Sequence, residues 1–138
     1  MRILVIDDEP DVLMLCRVNL ELAGHEVVEA ASGEAGLELA RSERPDVVVL
    51  DVMLPARDGF QILADLSSEQ NLADVPVILL TAKTQVEDRL VGWRAGCAEF
   101  MSKPFSPNEL VEMVGRVHVM SSEERIEHRR RALARLGS

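Results

Sequence analysis

The chain has little cysteine: two residues, Cys16 and Cys97, stand far apart with no CxxC pair and no Cys/His cluster. Nothing in that pattern supports a zinc site, and both read as reduced thiols. Long hydrophobic runs are also missing. No apolar stretch approaches the roughly 20 residues needed to span a bilayer, and Met1-Arg2 leads straight into a short apolar run ending at Asp7-Asp8, unlike a secretory leader. The expected location is cytoplasmic, with no membrane partner. A basic footprint is absent too: 15 basic against 24 acidic side chains give a formal charge of -9, which argues against the domain itself binding nucleic acid through phosphates. No internal repeat or low-complexity tract is visible. Finally, the first apolar run is followed by Asp7-Asp8-Glu9-Pro10 and not by a glycine-rich turn. Phosphates there would meet carboxylates instead of free backbone amides, which disfavours a nucleotide-binding module.

What is present points to one core. The 138 residues are 47% hydrophobic, enough for one compact domain and too short for two ordinary ones. Short runs rich in Val, Ile and Leu alternate with longer amphipathic segments, the pattern of βα units around a parallel sheet. Strands are predicted at 3–6, 26–30, 47–50, 77–80 and, more weakly, 99–101. The first, third and fourth are solidly apolar, as central strands covered on both faces should be, and the second and fifth read as edges. Ser106-Pro107-Asn108-Glu109 supplies a capping serine, a proline at the first helical position and a glutamate at the third. Thr84-Gln85-Val86-Glu87 repeats the capping box. Gly24 and Gly96 fall where the first and fourth helices should close. Val86, Leu90 and Trp93 are predicted to share a face of the fourth helix, and Phe60, Leu63 and Leu66 a face of the third.

The end of the chain differs in character. Of the 15 basic and 24 acidic side chains, 5 and 3 fall in residues 119–138, leaving 10 and 21 before them. Ser121-Ser122-Glu123-Glu124 signals a separate helix start, and Glu127 and Arg131 stand four apart as a supporting pair. The apolar stripe is thin, essentially Ile126, Leu133 and Leu136, so such a helix is marginal by itself. Arg129-Arg130-Arg131 reads as a solvated helix face. The expected division is a domain over 1–119 and a helical tail or linker over 120–138.

In an open parallel α/β sheet, ligands bind beyond the carboxyl ends of the strands, near the point where strand order reverses. Asp7-Asp8 follows the first strand, Asp51 ends the third, Thr81 ends the fourth and Lys103-Pro104 follows the fifth. Three carboxylates, a hydroxyl and an ammonium are thus delivered to one edge. Crowded carboxylates repel unless protonated or bridged by a cation, and an all-oxygen donor set favours magnesium or manganese over zinc. Taken singly, each residue has a duller explanation: Asp-Asp as a loop or helix cap, Asp51 as a strand end, Thr81 as a turn hydroxyl, Lys103 as a solvated surface lysine. The joint placement at one edge carries the argument.

These residues resemble the receiver domains of two-component response regulators. The resemblance rests on Ile-Asp7-Asp8-Glu9-Pro10, on Val49-Leu50-Asp51-Val52-Met53-Leu54-Pro55 followed by Asp58-Gly59, on Leu80-Thr81-Ala82, and on Ser102-Lys103-Pro104-Phe105, in family order and spacing. It covers residues 2–119. It implies a flavodoxin-like, doubly wound α/β fold with strand order 2-1-3-4-5, here with a C-terminal helical extension. It further implies that Asp51 accepts a phosphoryl group and that Asp8 and Asp51 ligate Mg2+ directly. Asp7 would act mainly through water, and the Met53 carbonyl would be a further ligand. Thr81 would bond the phosphoryl group, Lys103 would pair with it, Phe100 would be the switch aromatic, and Lys103-Pro104 would be a cis peptide. The implied donor is a sensor histidine kinase or a histidine phosphotransfer protein. The implied output is a changed surface on the fourth helix, fifth strand and fifth helix that controls a downstream protein or an output domain. The tail helix offers a route to a homodimer.

Three positions depart from the commonest family pattern. Arg57 stands where many relatives carry an apolar residue, Phe100 replaces a frequent tyrosine, and Met53 gives the acceptor no polar neighbour. Met53 also weighs against a rival reading, an aspartyl-phosphate hydrolase, which usually carries a second acid two residues after its nucleophile. A pure interaction module that never takes phosphate is opposed by the complete acidic set.

Overall fold

The computed structural model describes residues 1–82 and 85–137. In chain order the elements are β1 (Arg2–Ile6), α1 (Pro10–Leu22), β2 (Glu26–Ala30), α2 (Gly33–Glu43), β3 (Val47–Asp51), α3 (Gly59–Ser68), β4 (Val77–Thr81), α4 (Val86–Ala95), β5 (Glu99–Ser102), α5 (Pro107–Val119) and α6 (Ser122–Gly137). The five strands form one sheet in the order β2-β1-β3-β4-β5, every pair parallel. This is the predicted doubly wound α/β architecture with its C-terminal helix, and the two weaker strands lie at the edges. Four strands run one residue further than hydropathy indicates: β1 begins at Arg2, and β3, β4 and β5 end at Asp51, Thr81 and Ser102. Their backbones still pair in the ladder, Asp51 opposite Leu80 and Thr81 opposite Ser102, although the side chains are polar.

Because successive strand residues point to opposite faces, the apolar runs feed two cores. Leu4, Ile6, Val48, Leu50 and Leu79 face α2, α3 and α4, meeting Leu37, Ile62, Leu63, Leu66 and Trp93. Ile3, Val5, Val47, Val49, Ile78 and Leu80 face α1 and α5, meeting Cys16, Leu20, Leu110, Val114 and Val117. Each fully buried Leu or Ile contributes roughly 1.5–3 kcal/mol relative to exposure. Both cysteines are buried and free, and burial, with the charge of Asp7, pushes the Cys16 thiol up to about 12. It stays protonated and inert.

The helix punctuation is largely as predicted. Ser106 Oγ accepts a bond from the Glu109 amide at 3.1 Å, and Gly24 and Gly96 take φ of 93° and 100° to close α1 and α4. The capping-box serine or threonine of the fourth helix is a different matter: Thr84 lies outside the described residues, and Gln85 stands at the N-cap without a side-chain bond. The predicted face of α4 is buried only towards its C-terminal end. Trp93 is buried, but Val86 is 46% exposed, and the inner contact beside Trp93 is made by Gly92, which a hydrophobic pattern does not register. In α3, Leu63 and Leu66 are buried as expected. No helix among the described residues is long and apolar enough to cross a membrane.

The helix over the tail exists and is docked. Ser121 and Glu124 form a reciprocal capping box, Glu124 N–H to Ser121 Oγ at 3.1 Å and Ser121 N–H to Glu124 Oε1 at 3.0 Å. Glu127 pairs with Arg131 at 3.0 Å. The apolar stripe is shifted from the predicted one: Ala132 is the buried residue, Leu133 and Leu136 pack beside it, and Ile126 is 55% exposed. Apolar contact is concentrated in the second half of the helix, where a small alanine permits close approach.

Candidate functional site

Strand termini bring the acidic residues together. Asp7 directly follows β1 and its amide still bonds to Ala30 O of β2 at 3.0 Å, so its position is fixed by the sheet. Asp51 closes β3. Asp7 is 0% and Asp51 2% exposed, whereas Asp8 is exposed. One carboxylate oxygen from each of Asp7, Asp8 and Asp51 lies within 4.8 Å of the others.

Local amides and one ammonium hold the buried carboxylates. Asp7 Oδ1 accepts from the Glu9 amide at 2.9 Å, and Asp51 Oδ1 accepts from the Met53 amide at 3.1 Å. Lys103 Nζ donates to Asp7 Oδ2 at 2.9 Å and to Glu9 Oε1 at 3.2 Å, and lies 3.4 Å from Asp51 Oδ1. The Lys103-Pro104 peptide is cis, as expected, and the Lys103 amide bonds Thr81 O at 2.9 Å. Burial works to discharge this ammonium, but the bond to Asp7 and the charges of Asp51 and Asp7 outweigh it and hold the pKa well above the ordinary lysine range. For Asp51 the balance favours the neutral form. Burial, reinforced by the charge of Asp7, raises its pKa against the opposing pull of the Met53 amide and Lys103.

The remaining predicted residues divide between this cluster and its flank. Thr81, 1% exposed, ends β4 beside Asp51 on the adjacent strand. Met53 lies in the β3–α3 loop, two residues after Asp51, and is 56% exposed. Close approach shapes that loop: a Cβ on Gly59 would lie 2.3 Å from Asp51 O, which only glycine permits. Phe100 stands away from the carboxylates, 7% exposed, its ring packed inward against α4. It meets Trp93 edge-on at 5.8 Å with the Arg89 guanidinium 5.8 Å from its centroid.

Two residues to which the sequence assigned no role contribute contacts here. Glu9 is a second carboxylate partner for Lys103, and its place two residues after Asp7 in the same strand-end loop was the available signal. Arg57, an unexplained departure in the sequence, bridges Glu34 of α2 at 2.6 Å and Asp65 of α3. It ties the β3–α3 loop to two helices.

Comparison with known proteins agrees with this arrangement. The response regulator receiver domain model matches residues 3–115. The chain is 41% identical over 113 residues to the DNA-binding dual master transcriptional regulator RpaA of Synechocystis sp., covering 82% of this chain and 47% of that protein. It is 36% identical over 116 residues to protein PilH of Pseudomonas aeruginosa, covering 84% of this chain and 96% of that protein. The chain thus spans about half the length of the transcriptional regulator and nearly all of PilH. Among solved structures, the chemotaxis response regulator CheY4 of Vibrio cholerae superposes with a TM-score of 0.80 at 30% identity, covering 84% of this chain and 97% of that one. With family match, fold and strand-end residues in agreement, the chain belongs to the response regulator receiver domain family.

Proposed function

We propose that the domain is a phosphorylation-dependent switch in which Asp51 accepts a phosphoryl group from a phosphohistidine on a sensor histidine kinase or a histidine phosphotransfer protein. The observation that carries the reading is the meeting of Asp7, Asp8 and Asp51 oxygens within 4.8 Å, with Lys103 reaching Asp7 and Asp51 from the facing strand end. Three carboxylates against one ammonium leave a negative, all-oxygen donor set, which suits a hard divalent cation. Asp8 and Asp51, the Met53 carbonyl, and Asp7 through water would hold Mg2+, which when bound supplies positive charge facing the phosphoryl oxygens.

The residues of the chain account for the rest. An Asp51 carboxylate oxygen attacks phosphorus in line, the bond from phosphorus to the donor imidazole nitrogen breaks, and its electron pair leaves with that nitrogen. An acyl phosphate results. The Met53 amide and Lys103 favour the ionised, nucleophilic form of Asp51, opposing the effect of burial. Lys103 then pairs with a phosphoryl oxygen and Thr81 donates a hydrogen bond to another, so catalysis is mainly positioning and electrostatics. The chain is accordingly a switch that promotes its own phosphotransfer and dephosphorylation, not an enzyme acting on a separate metabolite. The extra charge beside β4 biases Thr81 and Phe100 and, with them, the α4–β5–α5 surface that addresses a downstream protein or output domain. Residues 1–119 carry this activity and 120–138 form the helical tail.

Beryllofluoride, a phosphoryl mimic, tests the reading without a kinase. Fluorine resonances of a protein-bound species should appear only with Mg2+ present and vanish in Asp51→Ala. Binding that persists in that variant would assign the anion to another site.

A further inference from the structure

We propose that α6 is an intramolecular occupant of the α4–β5 face and a backstop that, through Trp93, holds the Phe100 ring in its inward position. Three aromatic rings run from the sheet to the tail. Phe100 of β5 meets Trp93 of α4 with centroids 5.8 Å apart and planes at 61°, and Trp93 meets His128 of α6 at 5.5 Å and 72°. Each contact is edge-on, the geometry in which ring quadrupoles attract. His128 is also tied to the strand that bears Phe100, with Nε2 2.9 Å from Glu99 Oε2.

The inward end of this chain of rings is a socket of defined shape. A Cβ on Gly92 would lie 2.3 Å from Phe100 Cζ, and 2.9 Å from a methyl of Leu79, so the ring occupies space that exists because position 92 has no side chain. The outward end is closed by α6. Ala132 is buried in the same hydrophobic cluster as Trp93, Phe100 and Leu79, with Leu133 and Leu136 packed against it. The start of the helix is pinned by Arg125, which donates to Met120 O and Asp74 O at 2.9 Å each.

The sequence adds that α6 has too thin an apolar stripe to be stable alone, so its order depends on the surface it covers. Coupling of this kind is reciprocal: a docked α6 favours the inward ring, and an inward ring completes the surface on which α6 docks. A partner that reads the α4–β5 face, including a second copy of this chain, must first displace the tail.

The test uses the full chain and does not depend on phosphoryl transfer. Ala132→Glu combined with Leu136→Glu disrupts the docked side, and Ala134→Glu, which places a single glutamate on the exposed side, serves as a control. Hydrogen exchange of residues 126–136 reports docking. Trp93 is the chain's single tryptophan, so its emission reports loss of the α6 contact, and nuclear Overhauser effects between the Phe100 ring and the Gly92 α-protons report the inward ring. In the double variant, exchange of 126–136 is expected to accelerate at least tenfold, Trp93 emission to move to the red, and the Phe100–Gly92 effects to weaken, with the control unchanged. Faster exchange with undiminished Phe100–Gly92 effects would overturn the backstop role. Unprotected α6 amides in the parent chain, or undiminished protection in the double variant, would overturn the docking.

Discussion

At the carboxyl edge of the sheet Asp7, Asp51 and Thr81 are all but sealed from solvent, whereas along α6 the arginines that pair with Glu127 are about 70% exposed. Both regions are rich in ion pairs, yet the pairs do different things. At the sheet edge, strand termini hold Asp7 and Asp51 out of solvent, and each charge is felt strongly by its neighbours, which is why Lys103 and Asp51 titrate away from their ordinary values. On α6, solvent screens the pairs, each is worth little, and the helix stays in place through Ala132 and the residues around it. Buried charges shift one another's titration at the sheet edge, and small apolar contacts hold the helix in place.

The sharpest way to break the comparison is at Lys103. Lys103→Met removes the ammonium that faces Asp7 and Asp51 while keeping a long side chain, and it should slow phosphorylation of Asp51 by a small-molecule phosphodonor about 100- to 1,000-fold. Time-resolved mass analysis would check it. A rate within a few fold of the parent would mean that the buried pair is structural only. Arg130→Ala, which removes one of the exposed pairs, should leave that rate unchanged.

Gly92 probes the junction between the regions. Gly92→Ala puts a methyl where the Phe100 ring now lies, and overpacking of this kind costs about 1–3 kcal/mol. Chemical denaturation should register that loss, together with a changed Trp93 emission as the ring is driven from its socket.

Much of this molecule was legible before its structure. The apolar runs and their spacing give the sheet, and the separate strand ends deliver Asp7, Asp8, Asp51, Thr81 and Lys103 to one edge whatever the details of packing. What escaped was written in absence or smallness. Gly92 matters because it has no Cβ, and Ala132 because it is small enough for close helix contact, so neither registers in a hydrophobic pattern that weights large side chains. The Arg57 bridge joins residues from α2 and α3 that only the fold makes neighbours.

Acidification offers the smallest effect and separates the regions by sign. Arg130 and Arg131 hold the Glu127 carboxyl down to about 2, below its ordinary 4.5. A depressed folded-state value stabilises above the ordinary one, so support from Glu127 is present above about pH 4.5 and is lost as pH falls towards 2. Asp51 has a raised value, so its ionised form opposes folding and protonation relieves it on acidification. The protection of amides in residues 122–137, taken relative to their intrinsic exchange rates at each pH, should therefore fall modestly between pH 5 and 3, and high salt should reduce the change.

The central claim, that Asp51 is the phosphoryl acceptor, is tested most directly by intact-mass analysis after incubation with magnesium and acetyl phosphate or phosphoramidate, comparing the parent chain with Asp51→Ala. The account predicts one added phosphoryl group in the parent, dependent on magnesium and absent from the variant. No adduct in the parent, or an equal adduct in Asp51→Ala, would contradict it and leave a receiver-shaped interaction module as the better description.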